Sequence, residues 1–277
     1  MFVCIDGEFL PQESALISVF DHGLVTGDGA FEAIPVYDNR PFALGRHLRR
    51  LRRTLMGMLL DEPQLELISS WVMELIERND LGNARVRLTV TAGDARLTSD
   101  RVGGRQRVII AMEPAIFTST VEPIKVTIAP WPRNERGALS GLKTTSYAEN
   151  VLGLEYAHRA GASEVIFPNT KGELCEGSGS NIFVVVDGNV FTPTLQSGCL
   201  AGITREILVE ELGVKEADMP IADLVNGTVT EAFLSSSFRE VQPIATVDRV
   251  ALAVVGGSVT KSVRERFAQL FAGDLDI

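Results

Sequence analysis

The chain is predicted to be an α/β protein, in the broad sense that includes α+β, made of two domains. Alternating polar and apolar runs, typical of strands, occur in both halves between segments whose apolar residues recur at helical spacing. A stretch from Pro114 to Pro123 interrupts this pattern. We therefore predict a smaller N-terminal α/β domain at residues 1–117 and a larger C-terminal domain at residues 118–277.

The N-terminal half is predicted to combine hairpins, helices and strands. Asp6-Gly7 and Asp38-Asn39 are turn sequences between short β-prone runs, so each indicates a hairpin. Leucines at helical spacing predict an amphipathic helix, and a second apolar pattern of the same period follows it. The predicted helices are 45–59 and 64–78, and the predicted strands are 85–91 and 108–112.

The C-terminal half repeats this mixture, with Asp187-Gly188 indicating a third hairpin. The predicted strands are 124–129, 164–167, 181–186 and 190–192, and the predicted helices are 147–159, 202–212 and 258–271. In the first of these helices we expect Val151, Leu154 and Ala157 to face the core.

Composition argues against several classes of protein. A net charge of −10 disfavours nucleic acid as a partner, because phosphate backbones attract basic surfaces. No apolar run is long enough to cross a membrane, and the N-terminal segment lacks the basic region of a signal peptide. Cys4, Cys175 and Cys199 form no CxxC pair, and the histidines lack metal-ligand spacing, so we expect unpaired thiols in the cytoplasm and no metal.

Lys143 lies between a predicted strand and a predicted helix, followed four residues later by Tyr147. A lysine in such a loop is usually a solvated surface charge. In a cleft, a lysine can instead act as an amine nucleophile toward an aldehyde. Tyr147 is likewise open to two interpretations, a half-buried aromatic at a helix start or a phenol near a reactive site.

Three further segments contain polar residues next to small ones, and a basic helix adds a fourth candidate. Glu176 precedes Gly-Ser-Gly-Ser, which lets the backbone approach a planar ligand, although Glu176 could also be an ordinary surface acid. Thr204 lies at the start of a predicted helix, where backbone N–H groups and a hydroxyl suit a phosphate or simply cap the helix. The serines 235–237 and Arg50 are additional phosphate-binding candidates, and an ordinary turn and a solvated helix face are their alternatives.

Taken in order, these segments resemble the class IV aminotransferase family, the fold-type IV pyridoxal-phosphate enzymes. The most specific matches are Lys143-Thr-Thr-Ser-Tyr147, Glu176-Gly-Ser-Gly-Ser-Asn-Ile-Phe and Gly202-Ile-Thr-Arg205, and the similarity extends over nearly the whole chain. The family includes branched-chain aminotransferases, D-amino acid aminotransferases and 4-amino-4-deoxychorismate lyases. The resemblance implies the two-domain fold of this family, with an active site between the domains, and a homodimer.

The resemblance also implies a role for each matching residue. Lys143 would form the Schiff base with pyridoxal 5′-phosphate and carry the proton during the reaction. Glu176 would pair with the pyridine nitrogen, and Tyr147 would lie near the phenolic oxygen. The phosphate would be bound by Arg50, Ile203 and Thr204, together with Ser236 or Ser237.

The substrate side is matched less closely. Phe31, Arg87 and Arg239 are the candidates for substrate binding. Arg87 matches an arginine of branched-chain enzymes, but Arg85 stands where a tyrosine is expected beside it. The sequence Thr91-Ala92-Gly93 lacks the arginine that D-amino acid enzymes often have at this place.

Our leading functional hypothesis is an aminotransferase that moves an amino group between an amino acid or amine and a 2-oxo acid. The alternative is 4-amino-4-deoxychorismate lyase, which makes 4-aminobenzoate and pyruvate. A third hypothesis, from another class, is a non-catalytic homologue that keeps the fold for binding. None of these hypotheses includes nucleic acid or a membrane as a partner, and the sequence leaves the identity and stereochemistry of the substrate open.

Overall fold

The computed structural model describes residues 1–117, 121–273 and 275–276. The described chain divides into two compact units. The first unit contains Met1–Phe117, the segment Leu142–Tyr147 and Asp276, and the second contains the other described residues. No helix in the described ranges combines the length and the apolar character needed to cross a membrane.

The first unit is an antiparallel sheet with helices. Its strands run in the order β2-β1-β6-β5-β3-β4. The elements are β1 (Phe2–Ile5), β2 (Glu8–Pro11), α1 (His22–Val25), β3 (Gly29–Tyr37), β4 (Arg40–Pro41), α2 (Leu44–Gly57), α3 (Leu65–Asn79), β5 (Ala84–Thr91) and β6 (Arg107–Pro114).

Local sequence explains the main elements of this unit. Positive φ angles at Asp6-Gly7 and Asp38-Asn39 confirm the predicted tight turns of the β1–β2 and β3–β4 hairpins. The leucines of α2 and the apolar residues of α3 belong to one buried cluster with inward residues of β3, β5 and β6, which confirms both amphipathic helices.

The segment Leu142–Tyr147 packs in the first unit, although it follows the sequence boundary predicted at residue 118. The reason is backbone pairing with the start of β3. The N–H of Phe31 donates to the Lys143 carbonyl at 3.0 Å, and the N–H of Thr145 donates to the Gly29 carbonyl at 2.8 Å. The second unit is therefore not the continuous stretch from 118 to 277 that we expected, because Leu142–Tyr147 and Asp276 make their contacts in the first unit. Residue 118 itself lies outside the described residues.

The second unit is a mixed sheet with helices. Its strands run in the order β12-β11-β10-β13-β14-β7-β8-β9, and β9 also pairs with β10, so the path from β10 to β9 closes on itself. The elements are β7 (Ile124–Ile128), α4 (Ala148–Arg159), β8 (Glu164–Pro168), β9 (Leu174–Gly177), β10 (Asn181–Val186), β11 (Asn189–Thr192), α5 (Ile203–Leu212), β12 (Lys215–Glu216), β13 (Glu231–Ser236), β14 (Glu240–Val247), β15 (Val250–Ala251) and α6 (Ser258–Gly273).

The expected inner face of α4 is only partly correct. Ala157 is buried, but Val151 is 64% exposed. Asn150 and Gly153 are buried instead, and Gly153 packs so closely on Phe167 that a Cβ would not fit. Small residues, rather than the largest apolar ones, therefore define the packed face of this helix. The mixture of strands and helices in both units confirms the predicted α/β class.

Candidate active site

The Lys143 amine lies among aromatic rings in the first unit. Its Nζ is 4.3 Å from the centre of the Phe31 ring and 5.8 Å from that of Tyr147. Phe31 and Tyr147 meet edge to face, with their ring centres 5.2 Å apart. The backbone around Lys143 is held by β3 and by the Thr54 hydroxyl, which accepts the Lys143 N–H at 3.3 Å. The structure thus brings three predicted site residues together.

Arg87 packs on the same Phe31 ring, with its guanidinium carbon 3.4 Å from the ring centre. Strands β3 and β5 pair so that Phe31 lies opposite Thr89, which places Arg87 two residues along the neighbouring strand. Partial desolvation lowers the pKa of Arg87 from its ordinary value. Phe31 is therefore in contact with both a cation that could bind a carboxylate and the Lys143 amine.

Arg50 is bound to a buried glutamate that the sequence analysis missed. Arg50 donates to Glu32 from Nε at 2.9 Å and from Nη2 at 2.6 Å, and His47 Nδ1 lies 2.7 Å from the same carboxylate. Burial would raise the pKa of Glu32, but Arg50 and His47 outweigh it and lower the pKa to about 2. Burial also lowers the pKa of His47. A polar residue directly after Phe31 in a strand with an otherwise apolar core pattern was the signal that could have indicated Glu32.

Glu176 lies on β9 in the second unit, opposite Asn181 of β10. Its Oε2 accepts the N–H of Leu200 at 2.9 Å, and its Oε1 is 3.6 Å from Nε of Arg133. Arg133 also stacks on the Phe167 ring at 4.4 Å. Sequence reasoning missed Arg133, because nothing local to that loop indicates its contact with Glu176. The carboxylate is consequently oriented by a backbone donor and a cation.

Two hydroxyl groups of the second unit are buried without a hydrogen-bond partner within the described part of the chain, Thr204 Oγ1 and Ser235 Oγ. Thr204 is in the first turn of α5, where backbone N–H groups have no acceptor within the helix. The preceding Gly202 packs against Asn181 Oδ1 so closely that a Cβ would clash. The buried, unsatisfied Thr204 hydroxyl at this helix N-terminus fits the phosphate of the cofactor that the sequence implied, and the Ser235 hydroxyl on β13 is a second unsatisfied donor. Ser235 was noted only as one of three adjacent serines.

The remaining predicted residues of the second unit have other contacts. Ser236 Oγ accepts the N–H of Arg239 at 3.1 Å, and Ser237 is half-buried. The guanidinium of Arg239 donates to Gln242 and, at 3.2 Å, to Glu164. The structure thus groups Phe31, Arg50, Arg87, Lys143 and Tyr147 in the first unit, and Glu176, Ile203, Thr204, Ser236, Ser237 and Arg239 in the second.

The described residues offer no cluster of histidine, cysteine and acidic side chains for a metal ion. Cys4, Cys175 and Cys199 are buried, unpaired thiols. Burial raises the pKa of both Cys175 and Cys199, to about 11 for Cys199, which disfavours the thiolate. The candidate nucleophile is therefore the Lys143 amine rather than a thiol.

Sequence comparison gives related proteins over nearly the whole chain. The family model for amino-transferase class IV matches residues 29–247. A Methanocaldococcus jannaschii protein, provisionally named a branched-chain-amino-acid aminotransferase, is 32% identical over 98% of this chain and 96% of its own. D-alanine aminotransferase of Staphylococcus haemolyticus is 31% identical over 96% of each chain. Aminodeoxychorismate lyase of Bacillus subtilis is 27% identical over 95% of this chain and 92% of its own.

The fold gives the same family. The crystal structure of the branched-chain amino acid aminotransferase of Escherichia coli superposes with a TM-score of 0.91 at 28% identity, covering 98% of this chain and 95% of that one. This similarity confirms the predicted fold-type IV architecture. The chain belongs to the class IV amino-transferase family, whose cofactor is pyridoxal 5′-phosphate.

Proposed function

We propose that this enzyme moves an amino group between an amino acid or amine and a 2-oxo acid, with Lys143 as the residue that binds the cofactor. Pyridoxal 5′-phosphate supplies an aldehyde that combines with amino groups and a ring that makes the adjacent C–H of the substrate acidic. The observation that carries the proposal is the position of Lys143 Nζ, 4.3 Å from the Phe31 ring to which Arg87 also packs.

Lys143 has two tasks in this proposal, both performed by Nζ. It would hold the cofactor through its amine, and the same amine, when free, would take the proton from the substrate Cα. Nζ lies 4.3 Å from the centre of the Phe31 ring and 5.8 Å from that of Tyr147, so both rings help to position this amine.

The residues of the second unit would hold the ring nitrogen and the phosphate. Glu176 is the proposed acceptor for the protonated ring nitrogen, and its orientation by Leu200 and Arg133 supports that role. The hydroxyl groups of Thr204 and Ser235 are the proposed phosphate donors, because burial without a partner is costly unless a ligand supplies one.

The remaining phosphate donors proposed are the Ile203 backbone, Arg50, Ser236 and Ser237. Arg50 is oriented by Glu32, so its guanidinium is held in one geometry before any ligand binds. Arg87 and Phe31 are the proposed substrate-side residues, and Arg239 is a further proposed substrate residue. Tyr147 is proposed to lie near the phenolic oxygen of the cofactor.

An absorption experiment with the loaded enzyme tests the proposal. The purified protein is mixed with pyridoxal 5′-phosphate and then with a panel of amino donors. We expect a visible band that is lost with a donor and restored by a 2-oxo acid. Borohydride reduction followed by peptide mapping should place the cofactor on Lys143 and not on Lys125, Lys171, Lys215 or Lys261. Absence of a band, or labelling at another lysine, would refute the role of Lys143.

Aminodeoxychorismate lyase remains the second candidate function, supported by the similarity to the Bacillus subtilis enzyme. Incubation with 4-amino-4-deoxychorismate, without any 2-oxo acid acceptor, distinguishes the two. Release of pyruvate would identify a lyase, whereas exchange between donors and 2-oxo acids would identify an aminotransferase. Absence of any visible band, even with added pyridoxal 5′-phosphate, would favour a non-catalytic homologue.

We also propose that the chain forms a homodimer in the cytoplasm. A continuous segment of the first unit exposes large apolar side chains, with Leu16 at 78%, Val19 at 70% and Leu24 at 69% exposure. Clusters of this kind on a surface favour association with another protein surface. Unpaired buried thiols suit a reducing compartment. Sedimentation of the wild-type chain and a Leu16→Lys, Val19→Lys variant tests the dimer, since we expect the variant to be monomeric.

A further inference from the structure

Glu164 is a buried acid that the proposed function does not use. It begins β8 and is 1% exposed. A buried carboxylate is strongly destabilising unless donors surround it. The partners of Glu164 therefore indicate what this side chain does in the second unit.

Both oxygen atoms of Glu164 accept hydrogen bonds from the segment that follows Glu176. Oε1 accepts the Ser178 N–H at 3.0 Å and the Ser178 hydroxyl, and it also accepts the N–H of the adjacent Val165 at 3.0 Å. Oε2 accepts the Ser180 hydroxyl at 3.3 Å. One carboxylate thus binds both serines of the Gly-Ser-Gly-Ser motif.

The turn from Gly177 to Ser180 is held tightly on this carboxylate. Gly177 donates to the Ser180 carbonyl at 2.7 Å, and a Cβ on Gly177 would clash with the Ser180 hydroxyl. From α4, Asn150 Nδ2 donates to the Ser178 carbonyl at 2.6 Å. Glu176 directly precedes this turn, so the position of its backbone is linked to the bonds that the turn makes to Glu164.

Glu164 also binds a second segment of the proposed cofactor site. Arg239 Nη2 donates to Glu164 Oε2 at 3.2 Å, and the Arg239 N–H donates to Ser236 Oγ. The carboxylate is consequently shared between the turn after Glu176 and the turn that contains Ser236. Charge-assisted hydrogen bonds of this kind are stronger and more directional than neutral ones.

Another buried carboxylate of the second unit shows what a purely structural role looks like. Glu231 is 5% exposed, and its carboxylate accepts the N–H and the hydroxyl of Thr260 in the first turn of α6, so it satisfies donors at the start of that helix. Within the described part of the chain, its hydrogen-bond partners are Val259 and Thr260, and neither adjoins Glu176 or Ser236. Glu164 differs because it accepts hydrogen bonds both from the turn after Glu176 and from Arg239, which is bound to Ser236.

We propose that Glu164 is a positioning residue, which orients Glu176 toward the cofactor ring and fixes the turn at Ser236. The inference rests on the proposed function, because it takes Glu176 as the partner of the ring nitrogen. In this inference Glu164 acts through its hydrogen bonds to Ser178, Ser180 and Arg239 rather than by binding the cofactor. Glu164 lies outside the Glu176-Gly-Ser-Gly-Ser motif, so the motif by itself does not indicate that this residue belongs to the site.

Glu164→Gln is the main test, because glutamine keeps the size but removes the negative charge that binds Arg239. Its amide NH₂ also presents a donor where the serine hydroxyls or Arg239 now donate. Glu231→Gln is the matched control, since it removes a similarly buried acid that binds only the start of α6. We compare both variants with the wild type by thermal unfolding, so that a general loss of stability is measured separately.

Three readouts distinguish positioning from a structural role. In the protein without cofactor, amide hydrogen exchange at residues 177–180 should be faster in Glu164→Gln and unchanged in Glu231→Gln. With pyridoxal 5′-phosphate, the dissociation constant of Glu164→Gln should rise about tenfold or more, as expected for the loss of an oriented charge contact. Its visible absorption maximum should also shift, because the environment of the ring nitrogen changes.

If Glu164→Gln does not fold, Ser178→Ala replaces it, since that variant removes only one hydroxyl donor and should change the same readouts by a smaller amount. Equal exchange rates, affinity and absorption in Glu164→Gln and Glu231→Gln would overturn the inference. A wild-type protein that shows no band with pyridoxal 5′-phosphate would instead refute the proposed function, before any variant is compared.

Discussion

Arg50 donates two hydrogen bonds to Glu32, at 2.9 and 2.6 Å, and this buried pair orients the arginine that we assign to the phosphate. Glu32 is fully buried, and His47 is bound to the same carboxylate. The pair joins β3 to α2 through a buried polar contact in the first unit. It also makes stability dependent on pH, because Glu32 must remain ionised to balance Arg50.

The first prediction concerns acid unfolding. The pKa of Glu32 is about 2 in the folded protein, against an ordinary value of 4.5. A lowered folded-state pKa contributes stability that is complete above pH 4.5 and is lost as pH falls toward 2, on the order of 3 kcal/mol. In Glu32→Gln, urea unfolding at pH 7 should show a large loss of stability, and the difference from the wild type should narrow between pH 4.5 and pH 2. Glu66→Gln, at an exposed position of α3, is the control. Its free energy of unfolding should match that of the wild type at pH 7 and between pH 4.5 and pH 2.

The second prediction concerns the amine. Lys143→Ala should lower turnover by more than about 100-fold, because the variant loses both the attachment point and the base. Its unfolding curve should remain close to the wild type, since the hydrogen bonds of residue 143 to Phe31 and Thr54 come from the backbone. Lys125→Ala, on the exposed side of β7, should retain full activity. Substantial turnover by Lys143→Ala would contradict the assignment.

The elements of this fold were largely predictable because their signals are local. Turn sequences such as Asp6-Gly7 favour positive φ angles through their own residue types, and the leucines of α2 define one face through their spacing. The packing of Leu142–Tyr147 with β3 was not predictable, because it depends on hydrogen bonds between residues more than one hundred positions apart. Val151 was assigned to the wrong face because hydrophobicity alone ignores the close packing that Gly153 permits.

The third prediction concerns Arg87. If its guanidinium binds the substrate carboxylate, Arg87→Gln should raise KM for amino acid donors by about 10- to 100-fold, the effect of losing one charged hydrogen bond. Donor amines without a carboxylate should be unaffected, and so should the affinity for pyridoxal 5′-phosphate. Arg85→Gln is the matched control, because Arg85 is two residues away on the same strand and pairs with Glu113. A KM that changes equally for both donor types would exclude carboxylate binding by Arg87.

The candidate site was predictable only where a motif is continuous in sequence. Lys143, Glu176 and Thr204 lie in short motifs with a family resemblance, whereas their supporting residues come from elsewhere. Arg133 meets Glu176 across 43 positions of sequence, and Glu164 binds Arg239 across 75. No periodicity or spacing indicates such pairs. Only the structure shows that buried acids and arginines hold these motifs.

The fourth prediction uses the unsatisfied hydroxyl of Thr204. Thr204→Val removes a buried oxygen that has no partner among the described residues, and the new methyl group has almost the same volume. The stability of the protein without cofactor should therefore stay the same or rise, since no hydrogen bond is lost. Affinity for pyridoxal 5′-phosphate should fall about tenfold. Affinity for pyridoxal, which lacks the phosphate, should not change.

Thr192→Val is the matched control for this substitution. Thr192 is also fully buried, but its hydroxyl donates to the Ile182 carbonyl at 2.9 Å. Its replacement should lower stability by about 1–3 kcal/mol, because an acceptor remains buried without its donor. The affinities of Thr192→Val for pyridoxal 5′-phosphate and for pyridoxal should either change by the same factor or stay unchanged. The prediction is contradicted if Thr204→Val is less stable than the wild type and keeps the same ratio of affinities for pyridoxal 5′-phosphate and pyridoxal. The hydroxyl would then stabilise the fold and not bind the phosphate.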